Sequence, residues 1–480
     1  MTQPDAPLLG LNQARFDAAG STLVKNAIII TGTDDGTFRG DLLIRDGAIA
    51  DVGPRLDVTD TETVDASDYI VCAGFIDTHR HLWQSLYKGF VYDMTLMEVF
   101  SELYGVHSGR FRPEDMYAGT LLGRLTALDA GITTVLDWAH NSTTSEMEDA
   151  GIDALRAAGG RSVFGHGFAG DRVVDIARYH DQPRTYEAAA RIRKLLPDDD
   201  ALLSSCYLGL EPPFLISTDA CTKEFRIARE LGMRISVHIN SLSADGTPCP
   251  SLEGMYEAGL MGDDVTYVHL TGSTDQGLKL VADTGGTASI SPQVEAHAPS
   301  FTPPPAVRLM TAGVRPSLSL DSPSAGSEDF FSQMRALFDV ERTLARVGTE
   351  SHRGVPEVSL GDVLDFATLQ GARALGQEHR LGSVAAGKEA DLLFFDTTSL
   401  SMMPVLNPTA AVVFHASIGD IDTVLVHGKP VKRAGRLLAD LGDVRHRAEE
   451  ALSHLYWEVE GELPERAARP HPAATPRSVR

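Results

Sequence analysis

Cysteine is scarce. The 480 residues hold four, Cys72, Cys206, Cys221 and Cys249, and no two form a CxxC pair. This excludes a zinc ribbon and a thioredoxin-type motif, and leaves the reduced thiols of a cytoplasmic protein as the expectation. Positive charge is also short. With 42 Lys+Arg against 66 Asp+Glu, the net charge of -24 repels phosphate backbones, so no nucleic-acid partner is expected. No apolar run approaches the roughly 18–20 residues of a membrane span, and no membrane partner is expected. The opening MTQPDAPLLGLNQARF lacks the basic and apolar regions of a signal peptide. P-loop and G-x-S-x-G patterns are missing, as is the zinc signature H-x-E with P-C-x-x-C.

What is present is an alternation of apolar runs. Residues 21–68 read as short antiparallel strands with turns at Asp35-Gly36 and Asp46-Gly47. β-rich stretches return late, as KEADLLFFDT (388–397), TAAVVFHA (409–416) and DTVLVHGKPVKRAGRLL (422–438). Isolated hairpins are marginal. Residues 1–68 and 381–445 are therefore expected to form one small β-sandwich domain from both chain ends.

Residues 69–380 carry apolar runs at 69–77, 133–137, 161–166, 202–210, 234–239, 265–270, 287–291 and 315–321. Helical segments separate them, among them GTLLGRLTALDAG and TDACTKEFRIARELG, the second with Thr218 or Asp219 as N-cap and Gly232 as stop. This is the count and length of an α/β (β/α)8 TIM barrel. An open doubly wound sheet would need a phosphate-binding glycine turn after its first strand, and none follows 69–77. The aromatic-rich stretch from Leu82 to Arg112 exceeds an ordinary loop and suits a lid or an oligomer contact. Residues 446–480 read as a C-terminal helix and a disordered tail.

The strongest local signal is VCAGFIDTHRHLWQ (71–84). His79 and His81, two apart at a strand end, share one face at the rim where barrel active sites lie. Strand 5 ends in His238, strand 6 in His269 and strand 8 in Asp321. Each alone reads as a rim residue or a helix cap; together they suit Zn²⁺ or Fe²⁺ with a position left open for water.

These residues, with LGSVAAGKEADLLFFD (381–396), ATLQGARALG (367–376) and DTVLVHGKPVKRAGRL (422–437), resemble the amidohydrolase superfamily. The similarity is to its cytosine deaminase, guanine deaminase and triazine hydrolase branch, over about residues 21–440. The resemblance implies one divalent metal held by His79, His81, His238 and Asp321, with His269 on the metal-bound water or the substrate's reacting group and Gln84 touching substrate. No lysine ends strand 4 (LLSSCYLGLEPP), so a carbamylated binuclear site is not implied. One departure stands out: the branch's H-x-x-E glutamate is replaced by Ser241. Glu211, Glu295, His297, His140 and His166 are the rim groups available instead. Glu295 is the preferred general acid because strand 7 adjoins strand 8, and Trp83, Glu211 and His140 join Gln84 as expected substrate contacts.

The expected function is metal-dependent hydrolysis of a non-peptide C–N bond in a small cyclic or heteroaromatic substrate, chiefly deamination. Asp321 takes the water's proton and His269 polarises the reacting carbon's substituent. The alternatives are a cyclic amide hydrolase, a dehalogenating or dealkylaminating enzyme of the triazine type, and an inactive barrel scaffold. A homo-oligomer is expected. No Lys/Arg and Gly cluster follows strands 7 and 8, so a phosphorylated substrate is not.

Overall fold

The computed structural model describes residues 9–16, 20–59, 61–167, 184–197, 202–213, 215–239, 247–297, 302–347 and 357–457. Six strands precede the barrel: β1 (Leu9–Gly10), β2 (Ser21–Ile30), β3 (Thr37–Arg45), β4 (Ala48–Gly53), β5 (Glu62–Asp65) and β6 (Tyr69–Ala73). The barrel strands are β7 (Phe75–Arg80), β8 (Ile132–Asp137), β9 (Arg161–Gly167), β10 (Leu203–Gly209), β11 (Ile235–Ile239), β12 (Val265–His269), β13 (Thr287–Ile290) and β14 (Ser317–Leu318). Four more follow: β15 (Leu392–Asp396), β16 (Ile421–Val426), β17 (Lys429–Arg433) and β18 (Arg436–Leu437).

β7 to β14 pair in parallel in sequence order. The ring closes between its first and last strands, where Asp321 N–H donates to His79 O at 2.9 Å and His81 N–H donates to Asp321 O at 3.0 Å. A helix follows each strand, as Pro113–Asp129 follows β7 and Phe330–Val347 follows β14. The helix Thr218–Glu230 is capped one residue earlier than expected: Ser217 accepts from Ala220 N–H.

The apolar run 69–77, expected as one strand, is two. Tyr69–Ala73 pairs antiparallel with β15 in the other sheet, and only Phe75 onward enters the barrel. Gly74 makes the break, because a Cβ there would lie 2.2 Å from Thr133 Oγ1. TAAVVFHA, expected as strand, is helical across Pro408–Ala410 and Ala411–His415. Asn407 caps it by accepting from Ala410 N–H, Pro408 opens it, and Arg335 Nε donates to Val413 O at 2.9 Å. Local capping overrides the β-branched composition there.

Both chain ends join in one ten-stranded sheet ordered β1-β5-β2-β6-β15-β16-β17-β18, with β3 and β4 branching from β2. At β2, where the sheet branches, the register with β3 shifts at Val24/Ala27 beside Asn26 at φ 66. Alternation along β15 divides its side chains between two cores. Leu392 and Phe394 pack with Val24, Ile29 and Val71, whereas Leu393 and Phe395 face the barrel's core. The helix Leu441–Leu452 continues through Ser453–Trp457, and Ala451, Leu455 and Tyr456 pack on Trp83, Tyr87 and Leu103. Residues 458–480, expected as the tail, lie outside the described residues. Among the described residues no helix is long and apolar enough to cross a membrane.

Candidate active site

At the C-terminal rim, one ligand atom from each of His79, His81, His238 and Asp321 lies within 4.8 Å of all the others. The Nε2 atoms of His79 and His81 are each 3.2 Å from Asp321 Oδ1. His238, the least buried of the four, packs its ring 4.7 Å from His79 and 3.9 Å from Trp138, whose Nε1 is held by Ser236 Oγ at 3.0 Å. Several nitrogens thus crowd one carboxylate oxygen in a buried space.

The backbone is bent to make this arrangement. His269 and Asp321 sit at φ 70 and 59, left-handed values that cost a non-glycine residue roughly 1–3 kcal/mol each. Both lie where β12 and β14 end, and the bend turns their side chains into the rim. Below them, Asp77 Oδ1 accepts from His79 N–H at 3.3 Å and Leu320 N–H at 3.2 Å, tying strands 1 and 8 together under the site. Burial pushes the Asp77 and Asp137 carboxyls up to about 7.

Electrostatics favour cation binding. Burial drives the His79 pKa down to about 3 and that of His238 well below the ordinary value, so both imidazoles are neutral with a lone pair to give. Burial opposes the charge on Asp321, but hydrogen bonds from His79 and His81 outweigh it and hold its pKa well below the carboxylate range. Three imidazoles and one carboxylate are the donor set of a divalent transition-metal centre.

Around this cluster the expected rim residues divide. His269 Nδ1 lies 3.0 Å from Glu295 Oε1, and its Nε2 lies 3.9 Å from Asp321 Oδ2. Burial works against charge on His269, yet Glu295 and Asp321 prevail and raise its pKa. Glu295, expected as the general acid, is buried behind His269, with Oε1 also accepting from Ser291 N–H at 2.7 Å. Burial raises its pKa despite those contacts. His140 sets its ring edge-on 4.4 Å from that of His81, their Nδ1 atoms 3.0 Å apart. Gln84 Oε1 accepts from Ser322 and from Ser324, two residues that follow Asp321. Trp83 packs 5.6 Å from His140 and 5.2 Å from Phe111 as the wall behind them.

Others stand apart. Glu211 is buried with Oε1 accepting from Ser251 Oγ at 2.5 Å. His166 faces the outer helix layer, where Nδ1 meets Glu148 Oε1 at 2.7 Å. His297 stacks on Tyr92 and reaches Ala325 O at 2.8 Å. Ser241 lies outside the described residues. The sequence reading did not single out Tyr104, whose hydroxyl lies 3.0 Å from Gln84 Nε2 and 3.2 Å from His140 Nε2. Its sole signal was membership of the aromatic excursion after strand 1.

A closed parallel barrel with three histidines and an aspartate gathered at its C-terminal rim defines a metal-dependent hydrolase. The chain belongs to the amidohydrolase family, whose model matches residues 70–431. Among characterised relatives, it is 27% identical over 452 residues to a 5-methylthioadenosine/S-adenosylhomocysteine deaminase of Desulforudis audaxviator, covering 90% of this chain and 98% of that one. It is 28% identical over 428 residues to a 5'-deoxyadenosine deaminase of Methanothermobacter thermautotrophicus, covering 86% and 94%. Solved structures share the fold. An adenosine deaminase from Xanthomonas campestris with bound zinc superposes at a TM-score of 0.73, with 21% identity and coverage of 90% and 98%. An atrazine chlorohydrolase variant from Arthrobacter aurescens TC1, complexed with zinc and atraton, superposes at 0.77, with 19% identity and coverage of 90% and 100%.

Proposed function

We propose that this chain is an aminohydrolase that removes an exocyclic amino group from a small, electron-poor heteroaromatic ring, with amino-purine nucleosides the first class to test. The observation that carries this reading is the convergence of His79, His81, His238 and Asp321 beside the His269–Glu295 pair. The relatives named as adenosine-type deaminases support the choice of substrate.

The four residues would hold one Zn²⁺, or Fe²⁺ in its place. A divalent ion bound there supplies an acidified water, with a pKa near ~7, and charge stabilisation at the reacting carbon. Asp321 accepts the proton of the attacking water at Oδ2, the oxygen that faces His269. His269 donates from Nε2 to the substrate atom that gains charge. Glu295 receives the Nδ1 proton of His269 in a hydrogen bond and so fixes the ring's orientation. This makes Glu295 a positioning residue in place of the general acid expected from its position after strand 7. The departing amine takes its proton from within the Asp321–His269 pair, the protonated groups nearest the reacting carbon.

The substrate is a free small molecule. Four buried free cysteines support a reducing compartment such as the cytoplasm, and a homo-oligomer is part of the proposal, checked by light scattering. The test is ammonia release by zinc-reconstituted protein across 5'-deoxyadenosine, 5'-methylthioadenosine, simple amino-heterocycles, cyclic ureides and chloro-triazines. Ammonia from an amino-heterocycle is the expected result. Chloride release or ring opening alone would move the enzyme to the triazine or cyclic amide type, and no turnover with full zinc would contradict the reading.

A further inference from the structure

The segment after β7 carries the turn Phe100–His107, which is wound as a π-helix. Such turns are rare and recur at functional sites. This one is clamped by the C-terminal helix. His107 Nδ1 lies 3.1 Å from Leu455 O, and its ring stacks 5.6 Å from that of Tyr456. Tyr104, on the same turn, is thereby fixed in depth.

Its hydroxyl closes a polar belt around the metal-ligand cluster. The belt runs from Asp321 to His81, to His140, to Tyr104, to Gln84, and back to Ser322 beside Asp321. Because Ser322 and Ser324 occupy Gln84 Oε1, the amide's NH₂ must face Tyr104 and donate to it. His140 Nε2 takes a second position. Tyr104 itself is only partly covered, so these two contacts do not seal its hydroxyl off. The charge of Asp321 acts on this hydroxyl, which places it in electrostatic reach of the cluster. Burial first, and Asp321 second, drive its pKa far up, so the phenol stays neutral.

We propose that Tyr104 is a substrate-binding residue whose hydroxyl hydrogen-bonds a heteroatom of the bound ring and so sets the ring's orientation over His79, His81, His238 and Asp321. The identity of the ring rests on the function proposed above; the placement of the phenol beside Gln84 and His140 does not.

Two readouts separate the claims. The first is a crystal structure of the zinc-loaded full chain without substrate. A water within hydrogen-bond distance of the Tyr104 hydroxyl, on the side facing the zinc, is expected. A protein atom in that position would overturn the proposal whatever the substrate proves to be. The second is Tyr104→Phe, assayed on the best amino-heterocycle of the panel. KM should rise roughly tenfold or more, and by more than kcat falls, as a lost neutral hydrogen bond implies, with zinc content unchanged. An unchanged KM would also overturn it. If no heterocycle turns over, the functional reading has failed and the crystal structure alone decides Tyr104.

Discussion

The molecule holds two interiors built on different rules. Against the ten-stranded sheet, Val24, Ile29, Leu42, Val64, Val71, Leu392 and Phe394 pack side chain to side chain in one apolar cluster. Inside the barrel, just under the site, hydroxyls take that place. Thr78 Oγ1 meets Ser289 Oγ at 2.7 Å and Ser317 Oγ at 2.8 Å, and Ser319 Oγ joins Ser289 at 3.0 Å and Ser291 at 2.8 Å. The first interior asks for volume and tolerates conservative exchange. The second asks for a named partner at every atom, because an unpaired buried hydroxyl costs more than a hydrogen bond returns. One interior holds the fold; the other holds chemistry, and substitutions should separate them.

The largest effect belongs to the ligands. His81→Ala should lose zinc and activity together, measured by metal analysis beside ammonia release; full zinc occupancy would remove His81 from the ligand set. Asp321→Asn comes next, lowering turnover by about 10²–10⁴ with a smaller change in KM, as the loss of a general base predicts. Glu295→Gln should retain zinc and lower turnover by about 10–100-fold, the scale for a group that orients another. A loss as deep as that of Asp321→Asn would restore Glu295 as the acid itself.

The sheet's core should answer differently. Phe394→Ala is expected to cost about 3–5 kcal/mol of stability, read as a lowered melting temperature, while turnover per zinc-loaded molecule holds. Turnover falling in step with stability would show that the two interiors are one unit. The smallest change is Thr78→Val, nearly equal in volume. It should still cost about 1–3 kcal/mol, because Ser289 and Ser317 each lose a partner. A neutral result would mean that the hydroxyl chain relaxes around water.

The same contrast explains what the sequence could tell. Barrel strands such as 161–166 and 265–270 declare themselves as apolar runs closed by turn residues, and His79, His81, His238, His269 and Asp321 stand out as polar groups at the ends of such runs. Their partners do not. Glu295 lies five residues beyond β13, and only the turn of Pro292–His297 aims it back at His269. Tyr104 looked like one aromatic among seven between Leu82 and Arg112 until the π-helical turn set its hydroxyl against His140. The run 69–77 hid a change of sheet, because apolar residues continue from Tyr69–Ala73 into Phe75 and Ile76 and a single glycine parts them. Capping by Asn407, a local effect, turned TAAVVFHA from strand to helix.

Anomalous diffraction at the zinc edge, on crystals of the zinc-reconstituted full chain, tests the metal centre most directly. One strong peak per chain is predicted, bonded at once to His79, His81, His238 and Asp321. A peak bound elsewhere, a second peak of equal height beside it, or none at that rim would contradict a single ion held by those four residues.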